Sequence, residues 1–419
     1  MRWELATDSQ LLTGQVKMVE RVSFDGDIFA GGKDSTKMDQ WIARPGDILV
    51  SKIRARQGSV GLVSNSTGLV SASIHYRSLI LDTAKVSVIF VWLTLRSEYC
   101  RAQFLAATGG AMKGEISEER LLDLSIPLPP LTAQQAIVAH WQATQDKNAA
   151  AIKAADDHER SMNLKFLEAL GLSNHIQGIT QRAFAQNWSE IERWSLGYIR
   201  QTSGNLDPDG GRYPVARLGD VVADLSNGWS PQCFSRPAED DEWGVLKLGA
   251  VSFGRFNEQE NKALPPSLKP EPALEIKVGD VLISRANVPR LVGACAHVTA
   301  TRPKLLLCDK IFRVVFKADS AIAPEYIAEV MKLPHLRRQI ESSVTGSSPT
   351  MQNITKPALL ALRIPLPPLA IQKQLVAEVT AAREHIAAER AAAAKLAADT
   401  AHEVEQMILG QVQVIGFPA

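Results

Sequence analysis

The chain of 419 residues lacks the cysteine and histidine spacings of common metal sites and the long apolar runs of membrane proteins. Its 4 cysteines show no C-x-x-C spacing and its 8 histidines show no H-E-x-x-H spacing, so neither a metal site nor a disulfide framework is expected. The longest apolar run, residues 87–95, is closed by Arg96 and Glu98 well short of the ~20 residues of a membrane helix. The N-terminus is polar where a signal peptide would be apolar, which favours a cytoplasmic protein.

Familiar catalytic motifs are also absent from the sequence. It has no Walker A loop, no G-x-G-x-x-G after a predicted strand and no G-x-S-x-G elbow. An amino-methyltransferase would carry Asn-Pro-Pro followed by an aromatic residue, and no Pro-Pro pair of this chain has those neighbours. These absences predict a chain without catalytic activity that binds no cofactor itself. Since the net charge is only +1, any nucleic-acid-binding surface must be a local one.

A duplication dominates what is present. The hexapeptide IPLPPL occurs at residues 126–131 and again, 238 positions later, at residues 364–369, each time followed by a glutamine-bearing helical run. A Gly-Asp pair before a short apolar run also recurs, with Gly279 lying 233 positions after Gly46. Because these separations far exceed the period of any solenoid, each copy must be a whole domain with an appendage.

The pattern within each half predicts an α+β fold. Short apolar runs broken by Gly, Asp and Pro indicate a β-rich domain, with residues 48–53 and 281–286 near a two-residue period. Further strands are predicted at 69–81 and 305–316, and helical segments follow at 90–108 and 324–344. Long Ala-rich helices come last, at about 132–170 and 370–409. In the second long helix a stripe at helical spacing predicts a helix–helix seam, formed by Leu375, Val379, Ala382, Ile386, Ala393 and Leu396.

The predicted domains are two β-rich domains separated by two long antiparallel helices in a pseudo-twofold repeat. Their boundaries are 1–125 for the first β-rich domain, 126–172 for the first helical spacer, 173–212 for a connector, 213–363 for the second β-rich domain and 364–419 for the second helical spacer.

Cationic and amide side chains at equivalent places in both halves are candidates for binding DNA. Arg and Lys pair with guanine, Asn and Gln pair with adenine, and hydroxyls hold phosphates. The candidates on and after the Gly-Asp strands are Lys52, Arg54, Arg56, Gln57, Ser73, His75, Arg77, Arg285, Asn287, Arg290, Lys310 and Arg313, with Ser71 beside them. The loops before the long helices add Lys113, Ser347, Ser348, Thr350, Gln352 and Asn353. Ordinary solvated strand positions and a linker without a ligand are the alternatives.

With these motifs the chain resembles the specificity subunit of type I restriction–modification systems, over nearly its whole length. The duplicated junction between IPLPPL and a long helix is the most specific element of the resemblance. The resemblance implies a non-catalytic subunit with two target recognition domains, each reading one half of a bipartite DNA target. It also implies that the paired helices dock two modification subunits, which carry the S-adenosylmethionine chemistry, and through them restriction subunits. Residues 57–61 and 289–293 differ between the halves, so the target should be asymmetric.

One departure from the family pattern and two alternatives stand beside this interpretation. The strand and turn at residues 215–231 have no counterpart in the first half, so either that domain is truncated or the true start lies upstream. A non-catalytic coiled-coil adaptor that binds protein rather than DNA is the first alternative. An active nuclease or methyltransferase is the second, and it would require turnover by the chain alone.

Overall fold

The structure is a computed structural model that describes residues 4–31, 38–108, 114–172, 211–345 and 351–414. Its contacts divide the chain into a first unit, Met1–Ala154 with Ala388–Ala419, and a second unit, Ala155–Ala387. Two long helices, Leu131–Ala169 and Leu369–Ile408, each contribute a segment to both units. In the described ranges, none of the helices combines the length and apolar character that a membrane span requires.

The first unit contains two small sheets. Its strands are β1 (Lys17–Val22), β2 (Ile28–Ala30), β3 (Gln40–Ala43), β4 (Ile48–Ser51), β5 (Val60–Leu62), β6 (Val70–Ser73) and β7 (Tyr76–Leu79). The sheets have the orders β2-β1-β6-β3 and β5-β4-β7, with β1 and β6 parallel and the other pairs antiparallel. The short helices are Asp8–Leu12, Val88–Arg96, Glu98–Ala107 and Glu118–Leu122.

The second unit has more strands. They are β8 (Val215–Arg217), β9 (Val222–Asn227), β10 (Gly244–Leu246), β11 (Val251–Ser252), β12 (Arg255–Phe256), β13 (Asn261–Ala263), β14 (Val281–Ser284), β15 (Ala286–Asn287), β16 (Cys295–His297), β17 (Leu305–Leu306), β18 (Ile311–Phe316), β19 (Gln352–Asn353) and β20 (Arg363–Pro365). The larger sheets have the orders β13-β10-β17 and β16-β14-β18-β9, and β11-β12, β15-β19 and β20-β8 form pairs. The short helices are Leu218–Val221, Pro324–Val330, Pro334–Ser343 and Lys356–Leu360.

The repeated Gly-Asp pair forms the same turn in both units. Gly46 and Gly279 have φ angles of +94° and +95°, a conformation that favours glycine. Asp47 accepts a hydrogen bond from the Arg44 N–H at 2.9 Å, and Asp280 accepts one from the Lys277 N–H at 2.9 Å. This turn delivers the chain into β4 in the first unit and into β14 in the second.

Burial of these two central strands differs from the two-residue alternation that the sequence predicts. All four residues of β4 are buried, and so are all four of β14. The reason is that each strand has core on both faces: Ile48 and Val50 join one cluster while Leu49 joins another. In β14, Ile283 and Leu282 are divided between two clusters in the same way.

Several elements are interrupted where the sequence predicts continuity. The predicted strand at 69–81 is two strands, β6 and β7, and that at 305–316 is β17 and β18. The predicted helix after residue 90 is broken at Ser97, whose extended backbone ends one helix and whose hydroxyl caps the next by accepting from the Cys100 N–H. A serine side chain competes well for such an N-cap position.

The repeated IPLPPL junction is locked by a buried glutamine. In the first unit Gln134 donates to the Pro129 carbonyl at 2.8 Å and accepts from the Ser87 N–H at 2.8 Å. Its side chain therefore joins the proline segment to the start of the Val88–Arg96 helix. The long helix begins at Leu131 because the preceding prolines disfavour helix.

The second unit repeats this clamp with one more bond. Gln372, 238 positions after Gln134, donates to the carbonyls of Pro367 and Ala321 at 2.7 and 2.9 Å. Its side-chain oxygen accepts from the Ala323 N–H at 2.8 Å. The two copies thus share a hydrogen-bonding role as well as a sequence.

The predicted seam of the second long helix is present but its phase differs at one position. Leu396 is 36% exposed, whereas Val379, Ile386 and Ala393 are buried as predicted. The buried stripe continues at Thr400 and Met407, in steps of seven residues. Thr400 tolerates burial because its hydroxyl donates to the Leu396 carbonyl at 2.7 Å.

Within each unit, the segments of the two long helices contact each other. In the first unit His140 lies 3.1 Å from Glu403. In the second unit, further along the first helix and earlier in the second, the rings of His158 and His385 are 5.7 Å apart.

Candidate nucleic-acid interface

A basic residue follows each central strand and is held there by three backbone hydrogen bonds. In the first unit this residue is Lys52: its N–H donates to the His75 carbonyl at 2.9 Å, and its carbonyl accepts from the Ile116 N–H at 2.9 Å. The preceding residue, Ser51, donates its N–H to the Ser59 carbonyl at 3.0 Å. The backbone of this position is therefore fixed by three separate segments of the unit.

The second unit makes the same three bonds around Arg285. Its N–H donates to the Lys310 carbonyl at 2.9 Å, and its carbonyl accepts from the Ile354 N–H at 2.9 Å. Ser284 donates to the Ala294 carbonyl at 2.8 Å. We call Lys52 and Arg285 the exit cations, since each lies where the chain leaves a central strand.

The first exit cation is neutralised by an acid. The Lys52 Nζ lies 2.9 Å from a Glu115 carboxylate oxygen, and the other oxygen lies 3.9 Å from His75 Nδ1. The hydrogen bond from Lys52 is the main reason why the pKa of the Glu115 carboxyl lies below its ordinary value. Arg77, on β7, lies 3.7 Å from Glu118. This surface therefore presents carboxylates together with the predicted cations.

The second exit cation has different neighbours. Arg285 Nη1 donates to the Asp309 carbonyl at 3.3 Å, and its guanidinium lies 5.7 Å from the centre of the Phe312 ring. Among the described residues, no side-chain carboxylate lies within ion-pair distance of Arg285. Gln352 and Asn353 lie beside it because β19 pairs with β15.

The remaining predicted residues next to the exit cations lie mostly at the surface. In the first unit Arg54 and Gln57 are exposed, Arg56 and Ser73 are partly buried, and residues 55–57 form a short 3-10 helix. In the second unit Arg290 and Lys310 are exposed. Lys310 lies beside Arg285 through its backbone carbonyl, and the binding role of all these residues stays a prediction.

Three predicted residues have their polar groups engaged within the fold. Ser71 is fully buried, which corrects its placement on the surface, because β6 lies inside its sheet. Asn287 is buried and donates its side-chain amide to Ser284 at 3.3 Å. Arg313 donates to the carbonyls of Glu275 and Ala273 at 2.9 and 2.8 Å. It also lies 3.4 Å from Asp280, so it ties β18 to the Gly-Asp turn.

Four predicted residues lie outside the described residues: Lys113, Ser347, Ser348 and Thr350.

Glu115 is the residue of this surface that sequence reasoning missed. A signal was available, because GEIS at residues 114–117 aligns with QNIT at residues 352–355 at the same separation of 238 positions as the proline repeat. The predicted site consists of cations, amides and hydroxyls, which contact phosphates and base edges, and it includes no carboxylate. This alignment predicts that Glu115 and Asn353 occupy equivalent positions in the two halves.

Comparison with known proteins adds a family to this geometry. A family model described as "Type I restriction modification DNA specificity domain" matches residues 13–153. Residues 13–153 are therefore similar to type I specificity domains. The specificity domain so matched includes the first exit cation and Glu115, and the resemblance to type I specificity subunits is confirmed.

Curated relatives of this chain are also described as type I specificity subunits. The chain is 37% identical over 164 residues to the EcoEI specificity subunit of Escherichia coli, a match that covers 39% of this chain. That match spans only 27% of the EcoEI subunit's length. The chain is also 22% identical over 343 residues to the MjaVIII specificity subunit of Methanocaldococcus jannaschii, covering 80% of this chain and 71% of that one.

A solved structure extends the likeness of fold beyond the specificity domain. A chain from a structure of complex assembly and conformational transition in the type I R-M system matches with a TM-score of 0.57 at 17% identity. The match covers 97% of this chain and 94% of the other. The predicted fold class, with β-rich domains and long helices, is therefore confirmed.

Proposed function

We propose that this chain is the DNA-specificity subunit of a type I restriction–modification complex. In this role it has no catalytic activity of its own, works in the cytoplasm, and reads a bipartite target with one half-site for each unit. It binds two modification subunits, which supply the S-adenosylmethionine chemistry, and through them it engages restriction subunits.

The exit cations carry this proposal. A basic side chain occurs at the same backbone position in both units, fixed by matching hydrogen bonds from three segments. Further cations, Arg54 in the first unit and Arg290 and Lys310 in the second, are exposed nearby. Such clusters supply the phosphate and base contacts that duplex DNA requires, even in a chain whose net charge is only +1.

The units differ enough to favour unlike half-sites. After the central strand the first unit has Gln57 and Gly58 where the second has Pro289 and Arg290. Amides favour adenine and guanidinium groups favour guanine. An interrupted, asymmetric target is therefore expected.

Selection from a pool of randomised duplexes tests the function. The full chain, alone and with a modification subunit that copurifies with it, is mixed with the pool at several salt concentrations, and bound duplexes are sequenced. We expect one interrupted motif to be strongly enriched, with affinity falling steeply as salt rises because bound counterions are released. Equally weak binding of every sequence would remove the proposal and favour a protein-binding adaptor.

A further inference from the structure

Glu115 and Asn353 occupy the same place in the two units. Each immediately precedes an isoleucine, Ile116 or Ile354, whose N–H donates to the carbonyl of the exit cation at 2.9 Å. The position of each residue depends on tertiary structure, because the hydrogen bond between the isoleucine and the exit cation joins segments more than sixty residues apart in the sequence.

The segments that follow them also match. Ser117 caps the Glu118–Leu122 helix by accepting from the Arg120 N–H, and Thr355 caps the Lys356–Leu360 helix by accepting from the Ala358 N–H. The hydrogen bond of the isoleucine and the cap after it therefore fix the backbone that directly follows Glu115 and Asn353.

The chemistry at this position differs between the units. The Glu115 side chain is 47% exposed, and its ionised carboxylate is an acceptor only. Lys52 and His75 orient it without enclosing it, since the His75 side chain is itself 46% exposed.

Asn353 offers a donor as well as an acceptor. The residue is exposed, and its backbone is fixed by two hydrogen bonds with Thr345, of 2.8 and 2.9 Å. These bonds use the main chain only, and they leave the side-chain amide to present NH₂ and carbonyl together.

We propose that Glu115 and Asn353 are specificity-determining residues that read a base at equivalent positions of the two half-sites, cytosine by Glu115 and adenine by Asn353. A carboxylate accepts a hydrogen bond from cytosine N4, whereas an asparagine amide pairs with adenine N6 and N7 in the major groove. This inference rests on the proposed function and adds which side chain makes the half-sites unlike.

Isosteric exchanges test the assignment in the full chain. Glu115→Gln replaces an acceptor with an amide, and Asn353→Asp does the reverse, with little change in shape. In the randomised pool we expect Glu115→Gln to change one position of one half-site from cytosine to adenine. Asn353→Asp should change one position of the other half-site from adenine to cytosine. Each change should alter the preference at that position about tenfold or more, as expected for a bidentate base contact.

Matched controls carry the same charge change elsewhere. Glu119→Gln and Gln259→Glu alter exposed residues of the first and second units, and both should retain the wild-type motif. In each test variant the untouched half-site is an internal control for folding, because its preference must persist.

The outcomes separate this inference from the proposed function. If the wild-type chain shows no sequence preference, the proposed function fails. If the wild-type motif appears and both variants keep it, only the base-reading assignment is overturned. A loss of affinity that is equal for all sequences also overturns it, and would leave Glu115 as a residue that positions Lys52.

Discussion

The two units position a basic residue after a central strand in the same way, but the second unit uses more strands to do so. The first unit places its central strand in a sheet of three, β5-β4-β7, while the second has four, β16-β14-β18-β9. The additional strand β9 pairs with β18 over most of its length, and β8 pairs with β20 at the proline junction. In the first unit, no described strand forms at residues 126–130. The second unit thus has an additional strand and turn at a sheet edge, which the first half of the sequence lacks. The first unit positions its exit cation without them.

The interfaces between helix and β-rich part differ in chemistry as well. In the second unit Glu329 is 11% exposed and receives hydrogen bonds from Arg383 and Lys332. The equivalent position of the first unit, six residues after the clamped N–H, is Leu93, which packs against the apolar core. One unit therefore uses a charged contact where the other uses an apolar one, which shows that the repeat preserves position more strictly than chemistry.

The largest expected effect comes from removing the glutamine clamps. Gln372→Ala leaves one N–H and two carbonyls without their partner, and Gln134→Ala leaves one N–H and one carbonyl. Since each unsatisfied buried group costs about 1–3 kcal/mol, we expect losses of about 4 and about 3 kcal/mol respectively. Urea unfolding measures both losses of stability.

Gln374→Ala, which removes an exposed contact with Glu378, is the matched control and should change stability by less than about 0.5 kcal/mol. Equal effects of Gln374→Ala and Gln372→Ala would contradict the clamp.

A smaller effect is expected from the charged contact of the second unit. Burial acts to raise the pKa of Glu329, but the hydrogen bond from Arg383 and the charge of Lys332 outweigh burial and leave that pKa below its ordinary value. The carboxylate therefore adds stability above a pH of about 4.3, and this contribution is lost as the pH falls towards the lowered pKa. We expect Glu329→Gln to cost about 3 kcal/mol at pH 7, because Lys332 is left buried without its partner.

The measurement is the urea midpoint at pH 7 and at pH 3.5 or so. The difference between wild type and Glu329→Gln should shrink at the lower pH, since the contribution of the carboxylate is lost as the pH falls from about 4.3 towards the lowered pKa. Leu93→Met at the equivalent position of the first unit should show no such pH dependence. A difference that stays constant with pH would remove the electrostatic explanation.

The smallest expected effect distinguishes the exit cations. Lys52 already has Glu115 as an ion-pair partner at 2.9 Å, whereas Arg285 donates to a backbone carbonyl. Under the proposed function, Arg285→Ala should therefore weaken binding of the preferred duplex more than Lys52→Ala does. If Arg285 contacts a phosphate, its loss should also reduce the slope of log affinity against log salt by about 1. Titrations at three or more salt concentrations measure both quantities, and larger losses for Lys52→Ala would reverse the comparison.

Much of the fold could be predicted from local chemistry. The long helices begin within one residue of the predicted positions because consecutive prolines exclude helix before them. The Gly-Asp turn follows from a glycine at positive φ and an aspartate that accepts a backbone N–H. The cations near the exit positions were also predicted, since both copies carry them after the same strand.

The duplication, the junctions and the order of elements were therefore predictable from the sequence, because each depends on residues adjacent in the chain. Which faces are buried and which side chains meet depends instead on the tertiary packing. The central strands are covered on both faces by separate parts of the core, and Leu396 gives way to Thr400 in the seam. Glu115 reaches Lys52 through a bond between distant segments. Such contacts depend on how segments pack, so the periodicity within either segment does not predict them.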